Sequence, residues 1–254
     1  MKKIRIIPRL DIKGPHVVKG IHCEGLRVVG NPKELAYRYY KEGADELLCI
    51  DIVASLYQRN FDFDLLKSLA EGIFIPLTVG GGIRSINDIN NALRAGADKV
   101  AINTFAIKNP EFLNEAAKKF GAQCIVLSIE AKKYDDGAWE AYTDGGREKT
   151  GIDAIQWAKR AVKLGVGEII LTSIDHDGTR SGYDIDLISA LSSFSPVPLI
   201  VHGGADNPKS FLDVLKKYKP EGLAAASIFH YKDFSIKDVK KYLLKKNLPI
   251  RYAQ

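Results

Sequence analysis

Short apolar runs recur along the chain, each followed by a polar loop and then by a segment whose apolar residues return at helical spacing. The runs predict strands at Ile4–Leu10, Glu46–Ile52, Pro76–Val79, Lys99–Asn103, Cys124–Glu130, Glu168–Ser173, Pro198–His202 and Gly222–Ser227. Between them the helical pattern predicts, among others, helices at Pro32–Glu42, Ile86–Ala95, Pro110–Phe120 and Ile152–Leu164. Gly43, Gly96 and Gly165 stand where C-terminal helix caps belong. Buried strands alternating with helices make a parallel sheet, and eight such units predict an α/β fold of the (β/α)8 TIM-barrel type. A doubly wound sheet would use fewer strands and carry a glycine fingerprint after the first one, which this chain lacks.

The strand starts are spaced 42, 30, 23 and 25 residues apart, then 44, 30 and 24, so the pattern restarts after four units. Local sequence restarts with it. Val79-Gly-Gly-Gly-Ile-Arg answers Val201-His-Gly-Gly-Ala-Asp, and Glu46-Leu-Leu-Cys-Ile-Asp answers Glu168-Ile-Ile-Leu-Thr-Ser, both at an offset of 122 residues. Such a period predicts two half-barrels of four βα units each. No linker or low-complexity stretch interrupts residues 1–254, which read as a single domain.

Composition narrows the class without changing this picture. The chain has 254 residues, 46% hydrophobic and 27% charged, which excludes wholesale disorder and allows a large core. Three scattered cysteines, Cys23, Cys49 and Cys124, form no paired motif, so neither a disulfide framework nor a cysteine zinc site is expected. Together with the lack of a long apolar stretch, they point to a reducing cytoplasm and no membrane. The net charge of +6 suits anionic small molecules. Its lysines are densest over Lys237–Lys246, where they read as a solvated helix face, not a nucleic-acid surface.

Barrel chemistry gathers at the C-terminal strand ends, and side-chain alternation selects which residues face the lumen. On that parity Arg5, Ile7, Arg9 and Asp11 share the inner face of the first strand, and Val126, Ser128 and Glu130 that of the fifth. The first and fifth strands lie opposite each other, so Asp11 and Glu130 form a carboxyl pair suited to acid and base work. Helix capping or pairing with Lys19 or Lys132 is the plainer role for either one. Glycine clusters at Gly80–Gly82 and Gly203–Gly204, with Asn103–Thr104 and Ala226–Ser227 after the next strands, sit at corresponding ends in the two halves. Glycine lets backbone N–H groups approach a phosphate, so the pair predicts an elongated ligand with a phosphate at each end. At the opposite end Arg5, Glu46, Lys99 and Glu168 face inward, either as an ion-pair ring or as a gate for a small polar molecule.

The motifs Ile6-Ile-Pro, Leu10-Asp-Ile-Lys, Val18-Lys-Gly, Asp51-Ile-Val-Ala-Ser, Thr78-Val-Gly-Gly-Gly-Ile, Gly96-Ala-Asp-Lys-Val, Leu171-Thr-Ser-Ile-Asp, Asp177-Gly-Thr and Ser181-Gly-Tyr span nearly the whole chain. Through them it resembles the cyclase subunit of imidazole glycerol phosphate synthase, an enzyme of histidine biosynthesis. The resemblance implies a lyase-type cyclase without metal or organic cofactor. It also implies a glutaminase subunit docked at the N-terminal face of the barrel and ammonia passing through the lumen. It assigns catalysis to Asp11 and Glu130, and the ammonia gate to Arg5, Glu46, Lys99 and Glu168. Phosphate contacts fall at Gly82, Asn103, Thr104, Gly178, Gly204, Ala226 and Ser227.

Three lumen positions depart from that pattern: Glu130 where the family has Asp, Arg9 where it has Cys, and His202 where it has Ser. They make Arg9 and His202 candidates for tuning the substrate chemistry. They also admit a paralogue that supplies ammonia for amidination of a surface-polysaccharide sugar. A barrel that only docks a glutaminase, and the pathway's single-domain isomerase, are weaker readings.

Overall fold

The two halves of the chain run through the same series of elements. The first holds β1 (Arg5–Lys13), β2 (His16–Ile21), β3 (Glu24–Gly30), α1 (Pro32–Lys41), β4 (Leu47–Asp51), α2 (Phe63–Ala70), β5 (Leu77–Gly80), α3 (Ile86–Arg94), β6 (Lys99–Ile102), α4 (Thr104–Lys108) and α5 (Glu111–Phe120). The second holds β7 (Ile125–Asp135), β8 (Ala138–Thr143), β9 (Glu148–Asp153), α6 (Ala154–Lys163), β10 (Glu168–Ser173), α7 (Ile185–Ser192), β11 (Leu199–His202), α8 (Pro208–Lys217), β12 (Gly222–Ala225), α9 (Ser227–His230) and α10 (Ile236–Leu244). This computed structural model describes residues 3–251; the two residues before and three after, part of the single-domain reading, lie outside the described residues. Half-barrel duplication is thus visible element by element.

Eight strands pair in parallel in the order β1, β4, β5, β6, β7, β10, β11, β12, and β12 returns to β1 to close a (β/α)8 barrel. Side-chain parity divides the core in two. Ile7, Leu48, Ile50, Ala101, Val126, Ile170, Ile200 and Ala224 pack together inside the barrel. Their strand neighbours Ile6, Leu47, Cys49, Val79, Leu127, Ile169, Val201 and Leu223 pack outward against the helices. This is the alternation expected of strands buried on both faces.

The first and seventh strands outrun their predicted ends. β1 continues past Leu10 to Lys13 and turns into the antiparallel hairpin β2–β3, while β7 continues past Glu130 to Asp135 and turns into β8–β9. Both hairpins are half-polar ribbons lying over the barrel mouth, so the apolar runs that mark buried strands end before they do. The helix predicted from Ile152 accordingly starts at Ala154, where Asp153 accepts the Gln156 N–H at 2.8 Å and caps it.

The basic C-terminal segment also differs from a purely solvated face. Lys240 in α10 is buried, because its side chain enters the wall between α10 and the barrel floor and pairs with Asp45. Its neighbours Val239 and Leu243 are buried on the same side of the helix.

Candidate functional site

At the barrel floor the four inward charges form a closed ring. Arg5 donates to Glu46 at 2.6 Å and to Glu168 at 2.5 Å, and Lys99 donates to Glu46 at 3.1 Å and to Glu168 at 2.7 Å. Each carboxylate therefore serves both cations, and Thr78 adds a hydroxyl donor to Glu46 at 2.6 Å. The acids are almost wholly buried, whereas the Arg5 and Lys99 side chains keep 24% and 19% of their exposure. A small neutral molecule entering from below meets this ring and then the apolar inner layer.

Above that layer the lumen becomes polar again. β1 brings Arg9 and Asp11 inward, two residues apart on one face. The Arg9 Nε donates to Asp11 Oδ1 at 2.7 Å, its Nη1 donates to the Thr172 hydroxyl at 2.9 Å, and Nη1 lies 3.4 Å from His202 Nδ1. The second oxygen of Asp11 accepts from Lys19 on β2 at 3.3 Å, and Lys19 also donates to Asp177 at 2.5 Å. Lys19 thus pairs with Asp11, as the plainer role for that carboxylate anticipated. Sequence reasoning names Lys19 only as a pairing partner and misses Thr172, since a lumen threonine has no distinguishing pattern.

Glu130 sits on the facing strand β7 with different company. Among the described residues its side-chain partner is Asn103, whose Nδ2 donates to Oε2 at 3.0 Å and to the Tyr142 carbonyl at 3.0 Å. Burial drives the Glu130 carboxyl up to about 7, with the Arg9 charge pulling it down and the Asp11 charge pushing it up. For Asp11 burial acts in the same upward sense, but Arg9 and then Lys19 override it and hold that carboxyl well below the usual range. One site therefore presents a carboxyl that stays ionised near neutrality and a second that exchanges its proton there. His202 is buried instead of standing free at the mouth; burial, then Arg9, push its imidazole down to about 3, so it stays neutral.

The two glycine cradles are unequal. The first opens into a cavity of about 360 Å³ lined by Gly81, Gly82, Asn103, Thr104, Ser128 and Glu130, with Arg84 and Lys108 also on its wall. The second, lined by Gly178, Gly204, Ala226 and Ser227, encloses only about 10 Å³. Part of the reason is the β2–β3 hairpin, which folds onto this side: His22 N–H donates to the Asp177 carbonyl at 2.8 Å, and any Cβ on Gly178 would collide with the Gly20 carbonyl. Arg180 on the same wall is turned to Asp233 at 2.9 Å. Each cradle ends in a short helix, α4 or α9, that has no side-chain cap, so its first N–H groups remain available. Thr104 uses its hydroxyl oxygen to accept the Asp144 N–H at 3.0 Å, leaving its proton free to donate.

Comparison with known proteins agrees with this arrangement. The model of the family described as histidine biosynthesis protein matches residues 5–235. The imidazole glycerol phosphate synthase subunit HisF of Streptococcus mutans is 47% identical over 251 residues, 99% of this chain and 100% of its own length. That of Hydrogenobaculum sp. is 49% identical over 247 residues, covering 97% and 98%. That of Legionella pneumophila is 56% identical over 211 residues, covering 83% of this chain and all of its own. With its duplicated barrel, charged floor and facing carboxyls, this chain belongs to the HisF family of histidine biosynthesis proteins.

Proposed function

We propose that the chain is the ammonia-dependent cyclase subunit of imidazole glycerol phosphate synthase. It takes a bisphosphorylated formimino aminoimidazole carboxamide ribonucleotide and ammonia to imidazole glycerol phosphate, aminoimidazole carboxamide ribonucleotide and water. The observation that carries the reading is the facing carboxyl pair, Asp11 held by Arg9 and Lys19 and Glu130 by Asn103, at the upper end of a lumen whose floor is a charged ring. The relatives' names belong to the histidine-pathway synthase, so sugar amidination is not favoured.

In this mechanism ammonia adds to the ketose carbonyl of the substrate, one proton passing from nitrogen to oxygen to give a carbinolamine, and Glu130 gives a second proton to that hydroxyl, which leaves as water as the imine forms. Asp11, fixed by Arg9 and Lys19, accepts the proton that the incoming nitrogen loses. The same two groups then exchange protons as the C–N bond to the carboxamide nucleotide breaks and the imidazole ring closes. Acid–base assistance of this kind supplies on the order of 10²–10⁴ in rate. The substrate phosphates bind at Gly82, Asn103 and Thr104 on one side and at Gly178, Gly204, Ala226 and Ser227 on the other. The closed second cradle then opens by movement of the β2–β3 hairpin or of Arg180. Ammonia comes from a glutaminase subunit docked on the N-terminal face, through the gate of Arg5, Glu46, Lys99 and Glu168, in a reducing cytoplasmic setting that suits the three free cysteines.

Steady-state turnover of the purified chain with excess ammonium salt and the formimino substrate tests this. Imidazole glycerol phosphate formed by the native chain and lost in Asp11→Asn is the expected result. A folded native chain without turnover refutes it.

A further inference from the structure

Arg9 joins three barrel strands inside the lumen: its own β1 through Asp11, β10 through Thr172 and β11 through His202. Its side chain is 4% exposed and that of Asp11 5%, so no water shell screens the pair. The surrounding charges nearly cancel. Arg9 and Lys19 are cationic, Asp11 and Asp177 anionic, and His202 is neutral with Nδ1 placed to accept from Arg9 and 3.9 Å from Asp177. This cluster holds two charges of each sign, and Glu130 faces it from β7 with the neutral amide of Asn103 as its side-chain partner. The thiols and imidazole close by are Cys23 at the hairpin tip, Cys49 on β4 and His230 in α9, and on the Glu130 side the same cavity is lined by Asp51, Asp144, Arg84 and Lys108.

On the proposed cyclase reading, the geometry points to Arg9 as a positioning residue. It holds Asp11 in place, and its charge keeps Asp11 ionised for the base role while setting where Glu130 gives up its proton. It touches no reacting atom in this arrangement. Its influence runs through Asp11 by contact and through Glu130 by field, and it acts on both in the same direction, favouring loss of the proton. Removing the charge therefore raises both titrations together. Asp11 then begins to take up a proton at the acid end, while Glu130 keeps its own further into the alkaline range. A residue that merely filled the lumen would lower the rate equally at every pH.

The test compares Arg9→Gln with the native chain from pH 6 to pH 8.5, with ammonium salt as nitrogen source. The ratio of variant to native kcat/KM at each pH cancels the titration of ammonia and of the substrate phosphates. The ratio is expected to climb about tenfold or more across the range, since one unit of pKa corresponds to a factor of ten. In Arg9→Lys, which keeps the charge but loses the planar fork, the ratio is expected to be lowered but flat. A flat or falling ratio in Arg9→Gln, or a climbing one in Arg9→Lys, overturns the proposal. Carboxyl-carbon NMR of the ligand-free chain separates this from the functional reading: both resonances should titrate at higher pH in Arg9→Gln even if the native chain has no turnover. Unmoved titrations overturn the Arg9 role alone, and the same spectra show whether the variant is folded.

Discussion

The ammonium of Lys240, in the middle of the last helix, lies 2.7 Å from Asp45 just ahead of β4, and both side chains are buried. The other Asp45 oxygen accepts the Ile6 N–H at 2.8 Å, so one carboxylate ties α10 and β1 to the barrel floor. Burial pulls the Lys240 ammonium below its ordinary value and Asp45 opposes that pull. Removing one member of such a pair strands the other and costs about 3–5 kcal/mol. Lys240→Met is expected to lose about that much in urea unfolding. Adding Asp45→Asn, which keeps an acceptor for Ile6, should recover most of it; a double variant no more stable than the single one contradicts this account.

Glu130→Gln removes the carboxyl proposed as proton donor while keeping the shape of the side chain. A fall in kcat of about 10²-fold or more is expected, in line with ordinary acid–base contributions. The native chain should also lose activity above about pH 7 as Glu130 ionises, and that alkaline limb should be missing from the residual rate of the variant. Rates compared at constant free ammonia decide the point.

The proposed ammonia gate at the floor ring is tested at Glu46. Glu46→Gln weakens the contacts to both Arg5 and Lys99. Glutamine-dependent turnover with the glutaminase subunit is expected to fall about tenfold or more, and turnover with bulk ammonium to fall far less. Equal losses in the two assays would show that the ring is structural only.

Two buried histidines give stability a sign with pH. Burial first, and the nearby Arg9 for His202, hold His202 at about 3; burial chiefly holds His230, whose Nδ1 lies 2.6 Å from the Tyr39 hydroxyl, at about 4. Both values lie below the unfolded value of about 6.5, so between them the unfolded chain binds more protons and stability falls as pH falls. Each histidine contributes up to about 1.4 kcal/mol per pH unit between 6.5 and its folded value. Glu130 acts oppositely: its raised carboxyl favours the folded state below about 4.5 and that gain fades as pH rises towards 7. Urea midpoints at pH 5 and pH 7 should therefore differ less in His230→Gln than in the native chain. An unchanged difference argues against a neutral buried His230.

Hydrophobic periodicity and the internal repeat by themselves determined the barrel, its eight strands, the duplication and the inward parity of Arg5, Asp11, Glu130 and the floor charges. These are properties of local spacing: period two along a strand, a βα unit of fixed length, and an apolar face that must be buried wherever it occurs. The family was legible for the same reason, in motifs that lie at strand ends. Only the tertiary structure decided what those side chains meet. That Arg9 folds onto Asp11, that His202 turns inward as a neutral acceptor, that Lys240 enters the wall, and that one cradle is open while the other is nearly filled all depend on residues far apart in sequence. The hairpins β2–β3 and β8–β9 belong with them, since a ribbon over the mouth buries too little of itself to announce its strands. The opposite shifts of the Glu130 and Asp11 carboxyls likewise come from burial and neighbouring charge, which one-dimensional spacing does not encode.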